Sequence, residues 1–278
     1  MSTIIGDGPD LALIHGWGLG GTVWQPLLEP LSQCCRVHLL ELPGYGQEPD
    51  DASDFTAAAQ ALIAALPAGV TLCGWSLGAM LAMRAASLSP DRVGGLILVG
   101  ATARFTQCAD WPAAQAPAVL EGFAAGIRRQ PTPTLQRFAL LLSQGDSSAR
   151  SISRKLLALL RQHPTPEVAA LRRGLDWLGK VDLRPLLPAI ATRCLLVHGE
   201  HDPLNPIAAA QYLSTRLPNA RLEVFNGAAH APFLADPARF VRLLGEFCNI
   251  PPDTVCNDSP DGACGVRPDK FCNVPAAR

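Results

Sequence analysis

Three residues far apart in this chain, a serine, an acid and a histidine, have the types needed to cleave an acyl bond. Ser76 is the centre of Gly74-Trp75-Ser76-Leu77-Gly78, which follows the apolar run 69–73 and precedes an Ala-rich, helix-forming stretch over 79–87. A strand entering such a pentapeptide and a helix leaving it form a sharp elbow, and small residues two positions either side let the backbone turn without a Cβ clash. The hydroxyl at the apex is then presented to substrate. It is almost wholly protonated at neutral pH, so attack on a carbonyl requires a neutral imidazole to take its proton. His230, in the loop Asn226-Gly227-Ala228-Ala229-His230-Ala231-Pro232-Phe233, has the right chemistry, because the reference pKa of histidine, about 6.5, is close to the working pH. A carboxylate that fixes the tautomer and stabilises the imidazolium completes the set. Glu200 and Asp202 both follow the apolar run 194–197. Asp202 is preferred, since Asp202-Pro203-Leu204-Asn205-Pro206 is a Pro-rich turn that would hold the carboxylate on a rigid loop. Glu200 stands as the second candidate, and His198 and His201 are expected to shape this loop.

Acyl transfer also needs donors for the oxyanion. The amide of Leu77, directly after the serine at the start of the expected helix, is one, because free N–H groups and the helix dipole favour negative charge there. The other is expected from the loop where Leu11-Ala12-Leu13-Ile14 runs into His15-Gly16-Trp17-Gly18, with the amide of Trp17 as the donor.

The elements that must position these groups are legible as apolar runs. Strands are expected over 11–14, 36–40, 70–73, 94–99, 193–197 and 221–225. Several are continuously apolar, as parallel strands covered on both faces should be, and helical stretches lie between them. The expectation is therefore an α/β fold with a mostly parallel central sheet, helices on both faces, and an inserted helical cap at about 110–185, where the strand signal gives way to Leu/Ala/Arg helical patterns. With 278 residues and 48% apolar content, one substantial core is affordable, and residues 1–248 are expected to form one domain.

The chain resembles the α/β-hydrolases, in which the nucleophile, acid and histidine also follow one another in this order. Within that superfamily it is similar to the pimeloyl-[acyl-carrier protein] methyl ester esterases. The residues that carry the likeness are His15-Gly16-Trp17-Gly18-Leu19, Leu42-Pro43-Gly44-Tyr45-Gly46, Gly74-Trp75-Ser76-Leu77-Gly78, Gln136-Arg137-Phe138, Val181-Asp182-Leu183-Arg184 and Ala228-Ala229-His230-Ala231-Pro232-Phe233. The resemblance implies a serine esterase of biotin synthesis that frees the distal carboxyl of a pimeloyl chain, releases methanol and leaves the carrier thioester intact. It implies substrate contacts at Trp17, Ser76, Leu77, His230 and the run Phe138, Ala139, Leu140, Leu141 and Leu142. It also implies docking of an acyl carrier protein on Arg137, Arg150 and Arg154, although a further arginine of the family falls at Pro133 here.

Charge patterning points the same way. The chain carries −1 overall, yet between Arg128 and Arg173 nine basic residues face two acids, a local +7. A field of one sign steers an oppositely charged partner and weakens with salt, and acyl carrier proteins are acidic. The alternative is a solvated Arg-rich helix face. No signal peptide or membrane-spanning run stands out, so a cytoplasmic enzyme is expected. No phosphate loop, dinucleotide fingerprint or metal-ligand cluster occurs in the first 248 residues, so neither cofactor nor metal is expected, and the net charge argues against nucleic acid. A monomer is expected. Residues 249–278 turn rich in Pro, Asp, Asn and Gly, and Cys248, Cys256, Cys264 and Cys272 recur every eight residues. That spacing matches no common zinc signature, and the segment is expected to be a disordered tail. The triad alone leaves open a general short-chain carboxylesterase, a carbon–carbon bond hydrolase and, with less support, a catalytically silent binding protein.

Overall fold

A computed structural model describes residues 3–50, 54–162 and 165–251; the cysteine-bearing stretch after residue 251 lies outside the described residues. Seven strands form one sheet: β1 (Thr3–Ile5), β2 (Asp10–Ile14), β3 (Arg36–Leu40), β4 (Val70–Trp75), β5 (Val93–Val99), β6 (Cys194–Gly199) and β7 (Ala220–Phe225). Their order across the sheet is β1-β3-β2-β4-β5-β6-β7, with β1 antiparallel to β3 and every other pair parallel. The central β4 and β6 are buried along their whole length, whereas the edge strands β1 and β7 are mostly half-buried or exposed. That difference explains why the inner strands read as unbroken apolar runs. The six expected strands are all present, with ends moved by one or two residues. β1 was not expected: three residues on an exposed edge carry no periodicity.

Helices α1 (Gln25–Ser32), α2 (Phe55–Ala64), α3 (Leu77–Leu88), α8 (Ile207–Arg216), α9 (Pro232–Ala235) and α10 (Pro237–Phe247) accompany the strands. Between β5 and β6 the chain instead makes four successive helices: α4 (Pro117–Arg129), α5 (Pro131–Leu142), α6 (Ala149–Gln162) and α7 (Val168–Lys180). Prolines at the starts of α4 and α5 suit first-turn positions, where the missing N–H is no loss. α6 is strongly two-sided. Ile152 and Leu156 are buried, while Arg150, Arg154, Lys155 and Arg161 are exposed. The residues before α4 are irregular and are tied down by isolated bridges, one of them between Arg104 and Asp182.

One aromatic group in the core bears directly on the positions of Ser76 and His230. Trp75, the last residue of β4, packs edge-on against Phe233 of α9 with ring centroids 5.4 Å apart. Phe233 meets Trp24 at 4.5 Å and Phe240 at 5.8 Å. Such pairs contribute about 0.5–1.5 kcal/mol each beyond area burial. Here they fasten the residue before Ser76 to the helix that follows His230, so burial of the core brings two remote loops together.

Candidate active site

The pentapeptide around Ser76 forms the elbow that its glycines permit. Ser76 has φ 56° and ψ −116°, a backbone state that costs a non-glycine residue on the order of 1–3 kcal/mol and persists only where its surroundings enforce it. The enforcement is visible. Ser76 N–H donates to the Val99 carbonyl at 2.9 Å. A Cβ on Gly74 would lie 2.4 Å from the Gly78 carbonyl oxygen, and one on Gly78 would lie 2.4 Å from that of Ile14. Only glycine at both places lets α3 start so close to β4 and to the end of β2.

Asp202 and His230 meet as the chain order suggests. His230 Nδ1 and Asp202 Oδ2 are 2.7 Å apart, and both side chains are buried. Asp202 Oδ1 accepts from the amides of Leu204 and Asn205, each at 2.9 Å, so the Pro-rich turn does hold the carboxylate. Burial works to raise the Asp202 pKa, but His230, His198 and the Asn205 amide outweigh it and hold the carboxyl below its ordinary value. An ionised carboxylate can only accept, so the His230 proton sits on Nδ1 and the lone pair is left on Nε2. That nitrogen is buried without a hydrogen-bond partner among the described residues. The imidazole packs where a Cβ on Gly100 would be 3.2 Å from the ring, and Gly100 directly follows the residue that holds the Ser76 amide. Trp75 Nε1 donates to the His230 carbonyl at 2.8 Å. Glu200 is half-exposed and accepts from the Gly227 amide at 2.9 Å, so the geometry brings Asp202 rather than Glu200 to the imidazole. His198 is buried and donates from Nε2 to the Asn205 carbonyl at 2.7 Å, while burial pushes its pKa down. His201 lies at the surface, with Nδ1 donating to the Gly145 carbonyl at 3.1 Å.

The two expected oxyanion donors come from loops that press on each other. A Cβ on Gly16 would be 3.2 Å from the Ser76 Cβ, so the loop after β2 lies against Ser76. Among the described residues, neither the Leu77 amide nor the Trp17 amide donates to another group of the chain. The Trp17 loop is fixed by its neighbours. His15 Nδ1 donates to the Gly16 carbonyl at 2.7 Å, its Nε2 accepts from the Leu42 amide at 3.0 Å, and the Tyr45 hydroxyl accepts from the Gly18 amide at 3.0 Å. The motif residues 15–18 and 42–45 thus lock together. Trp17 Nε1 reaches the Leu171 carbonyl of α7 at 2.7 Å, so this loop is also tied to the helices above it.

One space borders Ser76, and a second shares Phe123 with it. A tight inner chamber of about 10 Å³ is lined by Ser76, Trp17, Phe123 and Phe138 with Leu120 and Leu175. Its aromatic rings pack edge-on, Trp17 to Phe138 at 4.7 Å and Phe123 to Phe138 at 5.5 Å. Beyond it lies an open groove of about 730 Å³ among α4, α5 and α6, lined by Phe123, Arg137, Leu140 and Leu141. Phe123 faces both spaces. Of the expected substrate contacts, Phe138 lines the chamber and Leu140 and Leu141 line the groove, whereas Ala139 and Leu142 are fully buried and line neither. Leu142 bears on the site through its backbone, its carbonyl accepting from the His230 amide at 3.1 Å. Arg137, Arg150 and Arg154 are exposed, and Arg137 forms part of the groove wall. Phe123, Leu120 and Leu175 were not anticipated. The spacing of Leu120, Phe123 and Ile127 marks a buried helix face, but such a pattern does not distinguish core from chamber.

Comparison with known proteins agrees with this geometry. A profile of the alpha/beta hydrolase family matches residues 11–243. A pimeloyl-[acyl-carrier protein] methyl ester esterase from Nitrosomonas europaea is 41% identical over 85% of this chain and 94% of its own length. The protein of the same name from Aromatoleum aromaticum is 39% identical over 82% and 94%. Among solved structures, a bromoperoxidase from Bacillus anthracis superposes with a TM-score of 0.80 at 21% identity, and an esterase from Exiguobacterium antarcticum with 0.79 at 24%, each over 89% of this chain and 94% of the other. These two likenesses speak for the fold alone. With its elbow after β4, an acid after β6 and a histidine after β7 on one mostly parallel sheet, the chain belongs to the α/β-hydrolase family.

Proposed function

We propose that this chain is a serine esterase that hydrolyses the methyl ester of pimeloyl-acyl carrier protein, releasing methanol in biotin synthesis. The observation that carries this reading is the similarity, at 41% identity over 85% of the chain, to an esterase named for that substrate. The geometry supplies a route for the chemistry. Ser76 Oγ attacks the distal ester carbonyl while His230 Nε2 takes its proton, and Asp202 stabilises the imidazolium. The Leu77 and Trp17 amides receive the oxyanion, a type of contact whose removal costs about 2.7–4 kcal/mol of barrier lowering in serine hydrolases. His230 then returns the proton to methanol, and the same residues activate water against the acyl-enzyme.

The substrate holds two acyl groups, and only the distal one is to be cut. A narrow chamber beneath a wide groove suits that task. The apolar pimeloyl chain would part Phe123 and Phe138 to reach Ser76, while the bulkier thioester end stays in the groove. Arg137 lines that groove, and Arg128, Arg129, Arg150, Arg154, Lys155, Arg161 and Arg172 of the same stretch are exposed as well. One of the two acids in this stretch, Asp146, is buried, and Arg173 is paired with Asp50. The outward charge therefore keeps the excess of +7 counted in the sequence, with Glu167 as its one exposed acid, and Arg137, Arg150 and Arg154 are our candidates for gripping an acidic carrier protein. In this reading residues 1–248 act as one hydrolase domain with the segment 110–185 as its cap. One chain supplies every group invoked, so no second copy is required. No helix among the described residues is long and apolar enough to cross a membrane.

Incubating purified protein with pimeloyl-acyl carrier protein methyl ester should yield the free acid with the thioester intact. Expression in a biotin-requiring strain that lacks the esterase should restore growth without biotin. Turnover of p-nitrophenyl butyrate together with inertness toward the carrier substrate would overturn the substrate assignment and leave a general carboxylesterase.

A further inference from the structure

Asp146 lies on the turn between α5 and α6, in the most basic part of the sequence, yet it is only 7% exposed. Its carboxylate reaches out of the cap segment. Oδ2 accepts from the amide of Ala229 at 2.8 Å, the residue immediately before His230, and Oδ1 accepts from the amide of Ser148 at 2.7 Å. Other bonds join the same two loops. His230 N–H donates to the Leu142 carbonyl at 3.1 Å and Ser147 N–H donates to the Gly227 carbonyl at 2.8 Å, while the loop after β6 meets the same turn through His201, which donates to the Gly145 carbonyl at 3.1 Å. Gly145 and Gly227 both have positive φ, 87° and 69°, which lets the two backbones approach. Segment 142–148 and segment 227–230 therefore form one clamp, with a buried carboxylate as its only charged side chain directed at the histidine loop.

We propose that Asp146 is a positioning residue for His230, through which the cap sets the imidazole relative to Ser76. A buried carboxylate bonded to two amides is costly to remove, because both donors are then left unsatisfied. A displacement of about 1 Å at a catalytic base can cost on the order of 10²-fold in rate. The same turn connects the helices that carry Arg137, Arg150 and Arg154, so the groove walls and the base share one anchor.

The competing account is that Asp146 merely shapes the start of α6 through Ser148. Asp146→Ser separates the two, since a serine hydroxyl can still reach the Ser148 amide two residues on but is too short for Ala229. On p-nitrophenyl butyrate, with concentrations set by fluorophosphonate titration of active sites, the variant should lose about tenfold or more in kcat with KM within twofold. The low-field proton resonance of the His230–Asp202 bond should shift or broaden. Asp146→Asn, which keeps one carbonyl acceptor, should recover part of the rate. If Asp146→Ser does not fold, Asp146→Asn is judged by the same resonance and kcat. A kcat within twofold of the parent together with an unmoved resonance overturns the proposal. The inference rests on His230 being the base, which His230→Ala tests separately. An active His230→Ala removes the catalytic reading itself, whereas an inactive His230→Ala beside a normal Asp146→Ser removes only the anchor.

Discussion

The carboxyl edge of the sheet and the four-helix segment above it are built by different means. At the sheet edge, backbone meets backbone. Gly74 and Gly78 face carbonyl oxygens at distances that exclude any Cβ, and Ser76 is bonded to the neighbouring strand. Where the helical segment closes over the chamber, side chains meet side chains. Trp17, Phe123 and Phe138 pack edge-on around the chamber, and the charges turn outward to solvent. Backbone contacts have no rotamers to change, so the lower region can hold reacting atoms in one geometry. Side-chain contacts can repack, so the upper region can open for a long acyl chain and adjust to a partner. If the sheet edge does the chemistry and the helical segment the selection, substitutions in the two regions should differ in kind as well as in size.

The largest effect is expected at the elbow. Ser76→Ala removes the proposed nucleophile and should lower kcat by about 10⁵-fold or more on every ester, since members of such a triad act as a unit. Intact melting behaviour would show that the fold survives. Residual turnover above one part in a thousand would place the nucleophile elsewhere. Asp202→Asn should cost about 10³–10⁴-fold, again equally for carrier-linked and small esters, because the amide cannot hold the Nδ1–H tautomer. A loss confined to one substrate would break the division between the two regions.

Substitutions in the helical segment should divide the substrates. Changing Arg137, Arg150 and Arg154 together to Glu should reduce kcat/KM for the carrier substrate by about 10–100-fold, mainly at low salt, and leave p-nitrophenyl butyrate within about twofold. Equal losses on both would mean that these arginines support the fold. Insensitivity of both would move the docking surface elsewhere on the molecule.

The same division governs what the sequence reveals. The elbow, the Asp202 turn and the His230 loop are legible because their constraints are local: a glycine that must lack a Cβ, a proline that stiffens a turn, a strand with an unbroken apolar run. The inner strands are legible for the same reason. Phe123 and Asp146 are not, since their roles arise from contacts between segments that are remote in sequence. An apolar residue at helical spacing reads as core whether it meets another side chain or a substrate chamber. An aspartate among arginines reads as diluted charge until its carboxylate is seen on the Ala229 amide. β1 was missed because three residues hold no period, and the preference for Asp202 over Glu200 rested on the Pro-rich turn alone until the bond to His230 was visible.

The smallest effect concerns pH and lies wholly in the lower region. His198 is buried beside Asp202, and burial holds its pKa below the ordinary 6.5. The unfolded chain therefore takes up a proton at His198 before the folded one does, and stability falls as pH drops below about 6.5 toward the folded value. Asp202 acts in the same direction in a lower window: its folded pKa is depressed below 3.8, so its contribution is present above that value and fades as pH falls through the folded one. His198→Gln keeps a donor for the Asn205 carbonyl but cannot titrate. Between pH 7 and pH 5 the melting temperature of His198→Gln should fall less steeply than that of the parent, and below pH 4 the two curves should steepen alike. Parallel curves from pH 7 to pH 5 would mean that His198 holds its proton equally in both states, and that the acid sensitivity of the sheet edge originates with another group.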